Sequence, residues 1–157
     1  LATAGSPERA VACVSLGAHA ALDRHGNLSA FVDAHTHGRG VDVVLDVSGG
    51  SGLATNVGVL ARHGILVVIG LLGGNHGDLD MARLLSRDLT VRGTTLRARP
   101  TWDKARICEA LETHVWPLVR RGLVRPVLAG VAPLADAASL HRAAREGGRI
   151  GARVLLP

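Results

Sequence analysis

Aromatic residues are almost missing from this 157-residue chain, which has no tyrosine, one phenylalanine and two tryptophans. Phe31, Trp102 and Trp116 cannot supply the stacking platform that a single-strand nucleic-acid binder needs. Two cysteines, Cys13 and Cys108, far apart in sequence, are too few for a disulfide scaffold and read as reduced thiols. Long apolar runs are also lacking. The most apolar window, Gly64 to Gly74, falls short of the roughly 18 residues of a membrane span. Lysine is reduced to Lys104, so seventeen of the eighteen basic residues are arginines. They are scattered along the chain, and the net charge of +5 marks no nucleic-acid groove. The opening LATAGSPERA has neither a basic n-region nor an apolar h-region, so it is not a secretory signal. The chain starts at Leu1, its one methionine is Met81, and it reads as beginning inside a longer frame. No repeat, low-complexity tract or Pro/Ser-rich linker interrupts it.

What remains is 47% hydrophobic, with 20 glycines, and apolar runs alternate with stretches of helical spacing closed by glycine. That alternation predicts an α/β, doubly wound parallel sheet. Asp42 to Val47 and Ile65 to Gly70 read as strands buried on both faces, and Leu89 to Gly93 as a third. Ser6 as N-cap, Pro7 at the first helical position, Glu8 in the first turn and Gly17 after Leu16 bound the first helix. Leu53, Val57, Leu60 and Ala61 share one helical face, and Gly64 is expected to end that helix. Ile107, Leu111, Val115 and Leu118 mark a long helix, N-capped by Thr101 and bent or ended by Pro117. A strand at Val127 to Val131, a helix at Leu134 to Arg145 and a strand at Arg153 to Leu156 complete the chain. The composition shift at Arg125-Pro126 suggests that the last segment packs on something other than the sheet.

Ligands of doubly wound sheets sit at the carboxyl ends of the strands. There, Ala4-Gly-Ser-Pro-Glu-Arg9 joins a hydroxyl, a helix N-terminus and a guanidinium into an anion site. No acid follows this first strand to hold a ribose 2′-hydroxyl, so a dinucleotide here would be NADP rather than NAD; the other reading is a plain N-cap with a surface arginine. A G-x-G-x-x-G fingerprint is absent. Gly38-Arg39-Gly40 precedes a strand, and the glycine-rich segment from Gly70 to Gly74 follows one with different spacing. That segment either lets a ligand approach the backbone or is an ordinary turn. Gly50-Ser51-Gly52 reads as a turn rather than a nucleophile elbow, and His35, His37 and His76 as solvated loop histidines rather than a metal site.

Taken together, Ala4-Gly-Ser-Pro-Glu-Arg9, Leu16-Gly-Ala18, Gly38-Arg-Gly-Val-Asp-Val-Val-Leu-Asp46, Val68-Ile-Gly70, Thr94-Thr-Leu-Arg97, Val115-Trp-Pro-Leu118, Arg125-Pro-Val127 and Ile150-Gly151 make the chain resemble a known family. These are the zinc-independent quinone oxidoreductases of the medium-chain dehydrogenase/reductase superfamily, NADPH enzymes of the zeta-crystallin type. The resemblance implies a Rossmann-like NADP domain over residues 1–125, entered at its second strand and lacking the first strand and glycine-rich loop. Residues 126–157 would return to a GroES-like catalytic domain outside this sequence.

By the same resemblance Ser6 and Arg9 hold the 2′-phosphate, Val47 and Ser48 lie against the adenosine half, and Gly70, Leu71 and Leu72 pass the nicotinamide. Thr95, Leu96 and Arg97 close the pocket, on a strand whose edge pairs across a homodimer. Arg24 stands where many relatives have tyrosine and is expected to keep the phosphate contact. Ala152 replaces a common lysine and loses one. The family uses no metal and no covalent nucleophile, so no catalytic side chain is assigned. The expected whole is a cytoplasmic enzyme transferring hydride from NADPH to a quinone or another small electrophile, with this half inactive by itself. A non-catalytic remnant serving as a binding or dimerisation module is the rival expectation.

Overall fold

The computed structural model describes residues 1–146 and 150–157. They form two compact units, Leu1–Ala98 and Arg99–Pro157. In the first, strands and helices alternate as β1 (Ala2–Ala4), α1 (Pro7–Ser15), β2 (Ala21–Asp23), α2 (Leu28–Thr36), β3 (Val41–Asp46), a 3-10 turn (Gly49–Gly52), α3 (Leu53–Gly58), β4 (Leu60–Val68), α4 (Met81–Arg87) and β5 (Thr90–Gly93). β1 pairs with β2, and β3, β4 and β5 form a second sheet in that order; every pairing is parallel. The parallel α/β class expected from the alternation is therefore present. The described sheet is interrupted between β1 and β3.

Local chemistry explains the first elements. Ser6 has extended dihedrals and accepts the Arg9 N–H, Pro7 sits in the first turn, and Gly17 follows the C-cap with φ 109°, a conformation that costs glycine nothing. β2 and α2 were not anticipated from sequence. Three residues are too few for a period-2 signal, yet α2 has a legible start in Asn27, whose side chain accepts the Ala30 N–H.

The core of this unit is Val57, Leu60, Leu66 and Leu89, packed against Val41, Val44, Leu53, Val68, Leu79 and Leu84. It also corrects one expectation. Leu60 and Ala61 do not extend a helix to Gly64: α3 stops at Gly58 and β4 begins at Leu60. Leu60 pairs with Val41 and Ile65 with Val43, so residues 61–64 bulge from the ladder, with His63 left-handed at φ 63°. Fully burying Leu60 beside Leu66 outweighs one further helical turn. Arg83 and Arg87 then tie α4 to this corner, donating to the carbonyls of Val57, Gly58 and Leu60.

The second unit contains α5 (Thr101–His114), α6 (Trp116–Arg120), β6 (Leu128–Pro133), a 3-10 turn (Leu134–Asp136), α7 (Ala137–Glu146) and β7 (Ala152–Leu156), with β6 and β7 parallel. Pro100, not Thr101, occupies the N-cap of α5, and it lacks a capping side chain. The chain turns at Val115, and Pro117 falls in the first turn of α6, where its missing N–H leaves no partner unpaired. No helix among the described residues is long and apolar enough to cross a membrane.

Leu66 is fully buried, whereas Leu72 is 88% exposed. Leu66→Ala should lower the unfolding free energy by about 2–5 kcal/mol, and Leu72→Ala should change it by no more than about 0.5 kcal/mol, measured by urea titration.

Candidate functional site

Two groups of the residues singled out above lie at carboxyl ends of strands. The first surrounds the exit of β1. Ser6 Oγ accepts the Arg9 N–H at 3.4 Å, and Arg9 Nη1 curls back to 3.6 Å from where a Cβ would stand on Gly5. The Arg24 N–H donates to Ala4 C=O at 2.8 Å, which brings the exit of β2 to the same end, and Arg24 Nε donates to His25 Nε2. Hydroxyl, helix N-terminus and two guanidinium-bearing residues therefore share this end of the β1–β2 pair.

Two carboxylates share it as well. The Ser6 hydroxyl holds Glu8 below the ordinary glutamate value, its own backbone N–H adds to this, and desolvation and the Asp23 charge oppose it. Asp23 lies opposite Ala4 in the ladder and accepts the His25 N–H at 2.8 Å. An acid is thus present at the paired strand, which the absence of one after β1 did not reveal. Both carboxylates are engaged in a cap and a turn, and formally they balance the Arg9 and Arg24 charges.

The second group is built on Asp46, the last residue of β3. Asp46 is 3% exposed, and its carboxylate accepts the Ser48 N–H at 2.7 Å and the Gly49 N–H at 2.9 Å. Val47 C=O then accepts from Leu72 and Ser48 C=O from Gly73, at 3.1 and 2.7 Å. The structure therefore brings Val47 and Ser48 against the segment carrying Gly70, Leu71 and Leu72. Thr94 N–H donates to Val68 C=O at 3.0 Å, so Thr95, Leu96 and Arg97 leave β5 at this same end of the sheet.

The sequence pattern from Gly38 to Asp46 contains that aspartate but assigns it no role. The Asp46-Val47-Ser48-Gly49-Gly50 run at a strand end is the available signal, since Asx turns accept backbone N–H groups two or three residues on. Glycines at Gly50 and Gly77 are required by each other: a Cβ on Gly50 would stand 2.0 Å from His76 O, and one on Gly77 2.1 Å from Gly50 O. A groove of about 470 Å³ lies between β1 and β3, lined by residues of both strands including Thr3, Val47 and Ser48. Among the described residues no three His, Cys, Asp or Glu side chains converge as a metal site; His35 Nδ1 is 2.8 Å from Phe31 O, within its own helix.

Asp46→Ala orphans a buried backbone N–H and should cost about 1.5–3 kcal/mol of stability by chemical denaturation. Because Glu8 has a lowered value in the fold, its contribution is present above the ordinary glutamate range and is lost as pH falls through the folded value. Ser6→Ala should move the Glu8 midpoint upward, read by carboxyl-carbon NMR titration. An unmoved midpoint would remove the Ser6 contact from the account.

Comparison with known proteins bears on this arrangement. The family model for the zinc-binding dehydrogenases matches residues 1–109. A quinone oxidoreductase of Rattus norvegicus is 23% identical over 158 residues, covering 99% of this chain and 46% of the relative. A 2-haloacrylate reductase of a Burkholderia species is 30% identical over 165 residues, covering 100% of this chain and 47% of the relative. The chain thus spans about half the length of the curated relatives it matches. Among solved structures, a mycobacterial quinone oxidoreductase superposes with a TM-score of 0.80 at 24% identity, over 99% of this chain and 48% of that one, which shows a shared fold. On the match over residues 1–109, the chain belongs to the zinc-binding dehydrogenase family.

Proposed function

We propose that this chain is the cofactor-binding part of an NADPH-dependent oxidoreductase that passes hydride to a quinone or to an activated alkene or carbonyl. The observation that carries the reading is the convergence of Ser6, Arg9 and Arg24 at the exit of the β1–β2 pair. Ser6 and Arg9 would take the 2′-phosphate, with Arg24 beside them, in a charge-assisted arrangement at a helix N-terminus. Val47 and Ser48 would lie against the adenosine half, where the Asp46 turn fixes their backbone. Gly70, Leu71 and Leu72 would pass the nicotinamide, and Thr95, Leu96 and Arg97 would close the pocket from the end of β5.

A nicotinamide cofactor, when bound, supplies the hydride; the chain positions it and excludes water. Leu72, at 88% exposure, and Leu96, at 57%, offer apolar surface for that exclusion. Glu8 sets a limit on affinity, because its carboxylate takes the Ser6 hydroxyl proton donor that a phosphate would use. Residues 126–157 would return to a substrate-bearing domain, and the exposed β5 edge would pair in a homodimer. This reading places the enzyme in the cytoplasm, and no side chain of this half is assigned a covalent or metal-ligating role in the reaction.

Arg9→Glu in the intact protein should weaken NADPH binding by about 1.5–3 kcal/mol, roughly ten- to a hundredfold in Kd, and leave NADH binding unaltered. Calorimetric titration of both cofactors decides it. Equal rates with NADPH and NADH in the unaltered protein, or an NADPH affinity untouched by Arg9→Glu, would reject the assignment.

A further inference from the structure

A cleft opens where β3 and β4 begin. Its volume is about 410 Å³, and its walls come from α2, the turn entering β3, the end of α3, the start of β4 and one face of α4. Leu60 pairs with Val41 at this end, whereas Asp46 and Val68 pair at the other, where the candidate site lies. All of these elements belong to the first unit.

Arg83 and Arg87 stand one helical turn apart on α4, and both line the cleft. Backbone carbonyls hold their heads in place. Arg83 donates from Nε to Val57 C=O at 3.3 Å and from Nη2 to Gly58 C=O, and Arg87 donates from Nη1 to Leu60 C=O at 3.1 Å. These bonds use only part of the donor fork of each guanidinium. Neither charge is neutralised from its own helix or the helix ends. Asp80 is engaged in the cap, accepting the Arg83 backbone N–H at 2.9 Å, and Asp88 is paired with His63 at 3.0 Å. On the α2 wall Ser29 and Asp33 are exposed, and among the described residues neither side chain has a hydrogen-bond or ion-pair partner. Two guanidinium groups are thus set against a single carboxylate, which leaves the lining with an excess of positive charge.

A guanidinium fork fixed by its own backbone bonds, with N–H groups still unspent, matches the oxygens of a carboxylate or phosphate. Because the heads are already placed, binding does not have to order two long side chains. A volume of about 410 Å³ is far more than a bare anion needs, and suits a small organic molecule that carries one. We propose that this cleft binds a small oxyanion, the phosphate or carboxylate end of a metabolite, through Arg83 and Arg87, with Ser29 and Asp33 meeting the donor groups of the same ligand. The site is separate from the β1 exit, and it does not depend on which cofactor, if any, the loops at the other end of the sheet hold.

The test is calorimetric titration of the intact protein carrying Arg9→Glu, a background in which anions at the β1 exit do not contribute. Inorganic phosphate and acetate are titrated separately, with ionic strength held constant by chloride. At least one of them should bind saturably, and the tighter of the two identifies the anion. Arg87→Gln should weaken that binding by about tenfold or more. Asp33→Asn, which has no partner to lose, should tighten it by about two- to fivefold through removal of a like charge. Failure of both anions to saturate, or binding that neither substitution moves, would overturn the proposal. So would weakening in Arg87→Gln without tightening in Asp33→Asn, the pattern of a corner that has merely loosened.

Discussion

A buried carboxylate organises the end of the central sheet. Asp46 is taken out of water at the tip of β3, a position that costs several kcal/mol unless the charge is hydrogen-bonded. Two backbone N–H groups, from Ser48 and Gly49, meet that need, and in doing so bend the chain sharply after Val47. The bend aims the carbonyls of Val47 and Ser48 at Leu72 and Gly73, which fastens the segment leaving β4. The 3-10 turn that follows then packs backbone to backbone on residues 73–77, a contact closed to any side chain at Gly50 or Gly77. Candidate residues separated by more than twenty positions in sequence are held together by this one turn.

The other end of the candidate site rests on a different device. At β1 the chain relies on a helix cap rather than a buried charge, and the cap is shared: Ser6 serves the Arg9 backbone and the Glu8 carboxylate together. Such an exposed cap is a weaker fixture than the Asp46 turn, and it leaves the guanidinium of Arg9 folded over Gly5. Between the two ends lies the groove of about 470 Å³. The division into a cap-based half and a carboxylate-based half follows the interruption of the sheet between β1 and β3.

Much of this was legible in the residues. The Ser6-Pro7-Glu8 start, the Gly17 stop, the presence of β3 and β4 and the parallel alternation followed from local chemistry that the structure repeats, but the burial of these strands on both faces did not, since Val43 and Leu45 are exposed on β3 and Ile65 on β4. The failures have physical causes. Leu60 and Ala61 fit a helical face, but burial against Leu66 and pairing with Val41 drew them into β4, a tertiary gain that periodicity does not contain. Thr101 looked like a cap, while the extended dihedrals that a cap needs are those of Pro100. At the site, Ser6 and Arg9 were visible through their chemistry. Asp46 is signalled only weakly, by the Ser48-Gly49-Gly50 that follows Val47, because an aspartate ending a hydrophobic strand reads first as part of the strand and its turn is fixed only when the two N–H groups beyond it bend back.

In the function proposed above, the β1 exit recognises a 2′-phosphate. A crystal structure of the intact protein with NADP tests it most directly. A phosphate oxygen is expected at about 2.7–3.2 Å from Ser6 Oγ and from the Arg9 guanidinium. A 2′-phosphate bound away from both side chains, or a cofactor that leaves the end of β1 unvisited, would contradict it.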